Sequence, residues 1–217
     1  MKLSDTAFFN KNRIAIVLDD HLLFADSFSA VLERLQFFNT VHTFNEGKDL
    51  IRFLMQYDLG DIFLFADYYL KCNNSSFIIK EAKRINKNIN IIIISSVVNP
   101  VTIKSLLTYH PKGFVSKSSG TDIVIDCIKH IGKGESYICP VIREILNSSD
   151  TIKEIPFTAR ELDILNYFAK GLSIAETAER AFLSKHTIVA HRRKMMEKTK
   201  THSITELLAY CRQAEII

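Results

Sequence analysis

The chain has 217 residues, of which 47% are hydrophobic and 24% charged, and a formal net charge of +4. That length suits two domains better than one, and the composition excludes a disordered or fibrous chain. The longest apolar runs, such as Ile91 to Ile94, fall far short of the roughly 18 residues needed to span a bilayer. With no signal-peptide pattern in residues 1–12, the expectation is a cytoplasmic protein with no membrane contact. Residues 13–18 form a short β-branched run ending at the acids Asp19 and Asp20. Residues 21–38 follow with apolar side chains at helical spacing, Leu22, Phe28, Val31, Leu32 and Leu35 among them. A strand at 40–44 and a helix at 47–57 come next, then a buried strand at 61–66 that runs into Asp67. Beyond it lie a helix at 77–85, an apolar strand at 90–94, a helix at 101–109, a strand at 113–116 and a helix at 122–131. Five strands alternating with five helices predict a doubly wound parallel sheet covered on both faces. Residues 147–156 are polar and end at Pro156, which reads as a linker. The four cysteines, Cys72, Cys127, Cys139 and Cys211, contain no C-x-x-C pair and read as reduced packing thiols.

In such a sheet, ligands bind outside the C-terminal ends of the strands. The polar residues at those ends are Asp19 and Asp20, Asp67, Ser95 and Ser96, and Lys117. A single acid at a strand end commonly caps a helix or faces water. Three on one rim repel one another and need compensation, which a hard divalent cation such as Mg²⁺ supplies through oxygen ligands. With a lysine opposite and a hydroxyl beside it, the rim suits phosphoryl chemistry on an aspartate nucleophile.

From Phe157 onward there are ten Lys/Arg against seven Asp/Glu, a net of +3, whereas the rest of the chain nets +1. Five of those ten positive charges fall between Lys185 and Lys198. Four helices are predicted here. Thr158 with Glu161 and Ser173 with Glu176 have the spacing of capping boxes, and Gly171 stands where a helix ends. Ser184 starts a third helix reaching about Lys198, and a fourth covers 204–214. In the third helix, Ile188, Met195 and Thr199 fall on an inward stripe, with His191 at its edge. Lys185, Val189, Ala190 and Arg193 lie opposite, flanked by Arg192, Lys194 and Lys198. A helix of this kind fits the DNA major groove, where Arg pairs with guanine and small apolar side chains meet thymine methyls. Flanking Lys and Arg contact phosphates. The plainer reading is an exposed basic face of a helical bundle.

Two resemblances sharpen this. The run I-V-L-D-D-H, the F-L-F-A-D ending at Asp67, I-I-I-I-S ending at Ser95 and K-G-F-V-S-K ending at Lys117 resemble the receiver domain of two-component response regulators. The stretch G-K-G-E-S-Y at 132–137 is similar to the end of that domain in the NarL/FixJ subfamily. The segment F-T-A-R-E-L-D-I-L, with K-G-L-S-I-A-E-T-A and F-L-S-K-H-T-I-V-A-H-R-R-K after it, resembles the LuxR-type helix-turn-helix. These resemblances imply an α/β plus all-α chain: a receiver at 12–146, a linker at 147–156 and a DNA-binding domain at 157–217. They imply phosphorylation of Asp67, Mg²⁺ on Asp19, Asp20, Asp67 and the carbonyl of Tyr69, and a switch made of Ser95, Phe114 and Lys117. For DNA they imply base contacts from Val189, Ala190 and Arg193 and phosphate contacts from Lys185 and Thr187, with His191, Arg192, Lys194 and Lys198 nearby. The implied partners are a sensor histidine kinase, double-stranded DNA and a second copy of the chain on DNA, the last helix dimerising. The role implied is transcription regulation, not enzymatic turnover. Tyr68-Tyr69-Leu70-Lys71-Cys72-Asn73-Asn74 departs from the Met-Pro-Gly-like turn usual after the phosphoacceptor, and Thr177 stands where Ile is usual. The loop keeps open a second reading, a receiver-like module that binds partners without phosphorylation. A third reading, an aspartate-nucleophile phosphohydrolase, is opposed by the DNA-binding half.

Overall fold

The computed structural model describes residues 12–56, 60–68, 75–96, 100–148, 156–214 and 216–217. Tyr69, most of the loop at 68–74 and most of the linker lie outside the described residues. One sheet takes β1 (Arg13–Leu18), β2 (Thr40–Phe44), β3 (Asp61–Asp67), β4 (Asn90–Ser95), β5 (Gly113–Ser116) and β6 (Tyr137–Ile138) in the order β2-β1-β3-β4-β5-β6, every pair parallel. Helices α1 (Leu22–Leu35), α2 (Gly47–Gln56), α3 (Ser75–Ile85), α4 (Pro100–Leu107) and α5 (Thr121–Gly132) connect successive strands. The sixth strand corrects the five-stranded expectation. Two residues are too short to show a period, and Tyr137 and Ile138 become a strand only by pairing with Gly113 and Phe114. Residues 140–147, legible only as an apolar run, form α6 (Pro140–Asn147). Proline fits its first position because that N–H has no intrahelical acceptor.

The inner strands read as continuous apolar runs because both of their faces are covered: β1 is buried throughout, and β3 and β4 are buried after their first residue. Each fully buried Leu, Ile or Phe in them contributes about 1.5–3 kcal/mol. Gly113 has a packing reason, since a Cβ there would meet Cys127 Sγ at 2.7 Å, so α5 sits against β5 only over a glycine. Pairing of Leu18 with Ala66, Asp67 with Ile94 and Ser95 with Ser116 brings the ends of β1, β3, β4 and β5 level on one edge.

The residues fall into two compact units, the chain up to Ser96 with Pro111–Arg143, and Val97–His110 with Glu144–Ile217. The second holds the four predicted helices, α7 (Ala159–Ala169), α8 (Ile174–Ala181), α9 (Lys185–Thr199) and α10 (Ile204–Gln213). Both expected capping boxes form, at Thr158/Glu161 and Ser173/Glu176, and Ser184 and Ser203 cap the other two helices. Gly171 ends α7 with φ +81°, a left-handed conformation that costs most other residues about 1–2 kcal/mol. Leu165, Phe168, Ala181, Ile188, Met195 and Leu207 meet in the core of this unit.

Candidate functional site

The edge where β1, β3, β4 and β5 end gathers the rim residues. Asp67 is the last residue of β3, and Asp19 and Asp20 follow β1 directly. Only 2% of the Asp19 side chain and 3% of the Asp67 side chain are exposed. Lys117, one residue past β5, places its ammonium 2.6 Å from Asp19 Oδ2 and 3.0 Å from Asp67 Oδ2. The same ammonium lies 4.4 Å from the centre of the Phe24 ring. Lys117 is held in turn by its backbone N–H, which donates to Ser95 O at 3.0 Å. Removing two carboxylates from water is expensive, and one lysine shared between them offsets much of that cost.

Ser95 ends β4, one residue past the Ile94 that pairs with Asp67, and is fully buried. Phe114 is fully buried within β5, where it makes the last pairing with β6, opposite Ile138. The structure therefore brings Asp19, Asp20, Asp67 and Lys117 into one cluster and aligns Ser95 beside it. Phe114 belongs to the supporting strand.

One member was missed by sequence reasoning. His21 was read only as the start of the helix after Asp20. Its backbone N–H donates to Asp19 Oδ1 at 2.9 Å, a tight local turn that swings the imidazole back over the acids. Nδ1 then lies 3.1 Å from Asp19 Oδ1, 3.1 Å from Asp20 Oδ1 and 3.9 Å from Asp67 Oδ2. The available signal was the Asp-x-His spacing, which places an Asx-type acceptor two residues before the ring. Ligand atoms of Asp19, Asp20, His21 and Asp67 all lie within 4.8 Å of one another. Such a set, three carboxylates and an imidazole, suits a divalent cation, and its hard oxygens fit Mg²⁺.

In the helical unit, α9 buries Ile188 and Met195 and exposes Lys185, Val189, Ala190, Arg193 and Lys194. Thr187, His191 and Arg192 are half-buried. The Thr187 N–H donates to the Ser184 cap, and its hydroxyl is 2.9 Å from that of Ser184. Arg193 Nε donates to Glu197 Oε1 at 2.9 Å on the open surface, a pair worth about 0.2–1 kcal/mol. Breaking it to engage another group costs little. Lys198 is differently placed. Its ammonium donates to Glu161 Oε2 at 2.6 Å, and that carboxylate also accepts from the Thr158 N–H and hydroxyl. Burial works against the Glu161 charge, but these bonds outweigh it and hold the carboxyl below its ordinary value. Burial, opposed by Glu161 and reinforced by Arg160, Lys194 and Lys198, holds the His191 imidazole below its ordinary value. At neutral pH the ring therefore offers a hydrogen bond rather than a charge.

Residues 156–211 match the family described as bacterial regulatory proteins, LuxR family. Over 206 residues the chain is 26% identical to the Fimbriae Z protein of Salmonella typhimurium, covering 93% of this chain and 97% of that one. It is 25% identical to the oxygen regulatory protein NreC of Staphylococcus carnosus, covering 93% and 98%. Among solved structures it is similar to RcsB from Salmonella enterica serovar Typhimurium bound to promoter P1flhDC with the phosphomimetic BeF3⁻. There the TM-score is 0.71, the identity 24%, and the coverage 92% of this chain and 98% of that one. No helix among the described residues is long and apolar enough to cross a membrane. A parallel sheet with an acid-lysine rim at its C-terminal edge, a helical segment that matches the LuxR-family model and relatives matched over nearly their whole length together make the chain similar to response regulators of the NarL/FixJ type.

Proposed function

We propose that the chain is a DNA-binding transcription regulator of a two-component phosphorelay, controlled by phosphorylation of Asp67. The receiver is taken as residues 12–146, the linker as 147–156 and the DNA-binding domain as 157–217. The observation carrying this reading is the buried Asp67 carboxylate, 3.0 Å from Lys117 Nζ and grouped with Asp19 and Asp20. In the proposed reaction an Asp67 oxygen attacks the phosphorus of a phosphohistidine on a sensor kinase. The O–P bond forms as the donor N–P bond breaks, and the donor nitrogen keeps the bonding pair. Asp19, Asp20, Asp67 and the Tyr69 carbonyl would hold Mg²⁺, which would supply positive charge against the carboxylates and phosphoryl oxygens. Lys117 balances the charge added at Asp67, the Ser95 hydroxyl donates to a phosphoryl oxygen, and Phe114 repacks. The outcome is a shift in a two-state equilibrium.

In the DNA-binding domain α9 enters the major groove. Arg193, Val189 and Ala190 read base edges, while Lys185, Thr187, Arg192 and Lys194 hold phosphates. His191 and Lys198 stand at the edge of that surface, Lys198 through its pair with Glu161. Dimerisation through α10 sets two half-sites about one helical turn apart.

The test is mass spectrometry after incubation with acetyl phosphate and Mg²⁺. The expected result is the mass gain of one phosphoryl group, mapped to Asp67 and absent from Asp67→Asn. No adduct on the wild-type protein, with DNA binding intact, would replace this reading by the phosphorylation-independent module.

A further inference from the structure

We propose that His21 is a ligand of the rim cation and biases the site towards the later divalent transition metals, Co²⁺, Ni²⁺ and Zn²⁺, relative to Mg²⁺. The inference rests on the reading of the rim as a cation site. It departs from an all-oxygen site because of where one ring lies. Nδ1 of His21 is 3.1 Å from both Asp19 Oδ1 and Asp20 Oδ1, within a set whose ligand atoms span no more than 4.8 Å. The two oxygens of Asp19 divide the work: Oδ2 faces Lys117, whereas Oδ1 faces His21. At Asp19 the side facing the lysine and the side facing the imidazole are thus divided between two oxygens, while Asp67 Oδ2 lies between them, 3.0 Å from Lys117 Nζ and 3.9 Å from His21 Nδ1. The placement is built into the backbone, because the His21 N–H is tied to the same Asp19 Oδ1. The ring is also accessible, with 56% of the side chain exposed, so it can turn towards an incoming ion without disturbing the core.

Mg²⁺ prefers hard oxygen donors and gains little from an imidazole. Nitrogen donors raise affinity along the series from Mn²⁺ towards Cu²⁺, and Zn²⁺ and Co²⁺ take imidazole readily. A single nitrogen added to three carboxylates therefore alters selectivity more than it alters overall charge.

The experiment titrates metal-free, full-length protein with CoCl₂ and, separately, with MgCl₂ by calorimetry. Visible ligand-field absorption follows Co²⁺, and displacement of that band by excess Mg²⁺ identifies the shared site. The expected result is that His21→Ala weakens Co²⁺ binding about 10–100-fold, the loss typical when a metal site is disturbed, shifts the Co²⁺ band, and leaves Mg²⁺ affinity nearly unchanged. An equal loss for both cations, or an unchanged Co²⁺ affinity, overturns the assignment. Tighter binding of both cations by the variant also overturns it, and makes the ring a counter-ion rather than a ligand. If wild-type protein binds neither cation, the reading of the rim as a cation site falls along with it, which separates that failure from the others.

Discussion

Lys117 is the residue on which the rim depends most in the absence of a cation. Its ammonium contacts two carboxylates that are almost wholly removed from water, and losing one partner of a buried pair leaves charge uncompensated. Lys117→Ala should therefore cost about 3 kcal/mol of stability in metal-free buffer. Added Mg²⁺ should restore part of that loss, because the cation takes over the compensating charge. Thermal unfolding with and without Mg²⁺ measures both effects, and a variant as stable as the wild type in chelator would contradict the argument. Most of this site was legible in the sequence, because strand ends announce themselves when an apolar run stops at a charged residue. His21 was not, since its role depends on a turn that folds the ring back over residues adjacent to it in sequence. Its neighbours Leu22 and Leu23 made it look like an ordinary helix start.

At the scale of elements, the pair between Lys198 on α9 and Glu161 on α7 is the clearest feature that sequence could not show, because its partners lie 37 positions apart. Lys198 looked like one more basic residue on a DNA-facing helix. The folded protein holds Glu161 below the ordinary carboxyl value of 4.5. A depressed carboxyl contributes stability that is fully present above the unfolded value and is lost as pH falls through the folded one. Acidification below about pH 4.5 should therefore destabilise the helical unit, and Lys198→Met should make that dependence shallower while costing about 1.5–3 kcal/mol at neutral pH. Thermal melts across pH check both statements.

Thr177 on α8 offers the opposite opportunity. It is fully buried, and among the described residues its hydroxyl has no hydrogen-bond partner. Thr177→Val keeps the shape and removes the orphaned hydroxyl, and should stabilise the unit by about 1 kcal/mol. That corresponds to a rise in Tm of about 4–8 °C for a unit of this size. The sequence pointed to this position as one where Ile is usual. The four helices of the unit were legible for a related reason, since their caps and glycine stop are local signals. The two-residue β6 was not, because it exists only through its neighbour.

For the whole molecule, the proposed function turns on how α9 would meet DNA. Among the described residues Arg193 carries only an exposed, weak pair with Glu197, which leaves it available to a base in the proposed complex. Arg193→Ala should cost about 1–3 kcal/mol at a specific operator and relax preference there, whereas Lys194→Ala should weaken all sequences alike and lower the salt slope by about 1. Binding isotherms over a range of salt, on DNA selected from a random pool and on scrambled DNA, distinguish the two. Equal losses on both DNAs for Arg193→Ala would mean that another face of the helix reads the bases.

The sheet's two margins have unequal consequences for handling such a protein. One ends in the two-residue β6, too short to template anything. The other ends in β2, five residues of Thr-Val-His-Thr-Phe with neither proline nor Lys/Arg/Asp/Glu, and exposed or half-buried along its length. An uncharged, β-prone margin of that kind recruits strands from other chains. Crowded refolding, as on release from inclusion bodies, should therefore lose material to intermolecular sheet growth at β2 rather than at β6.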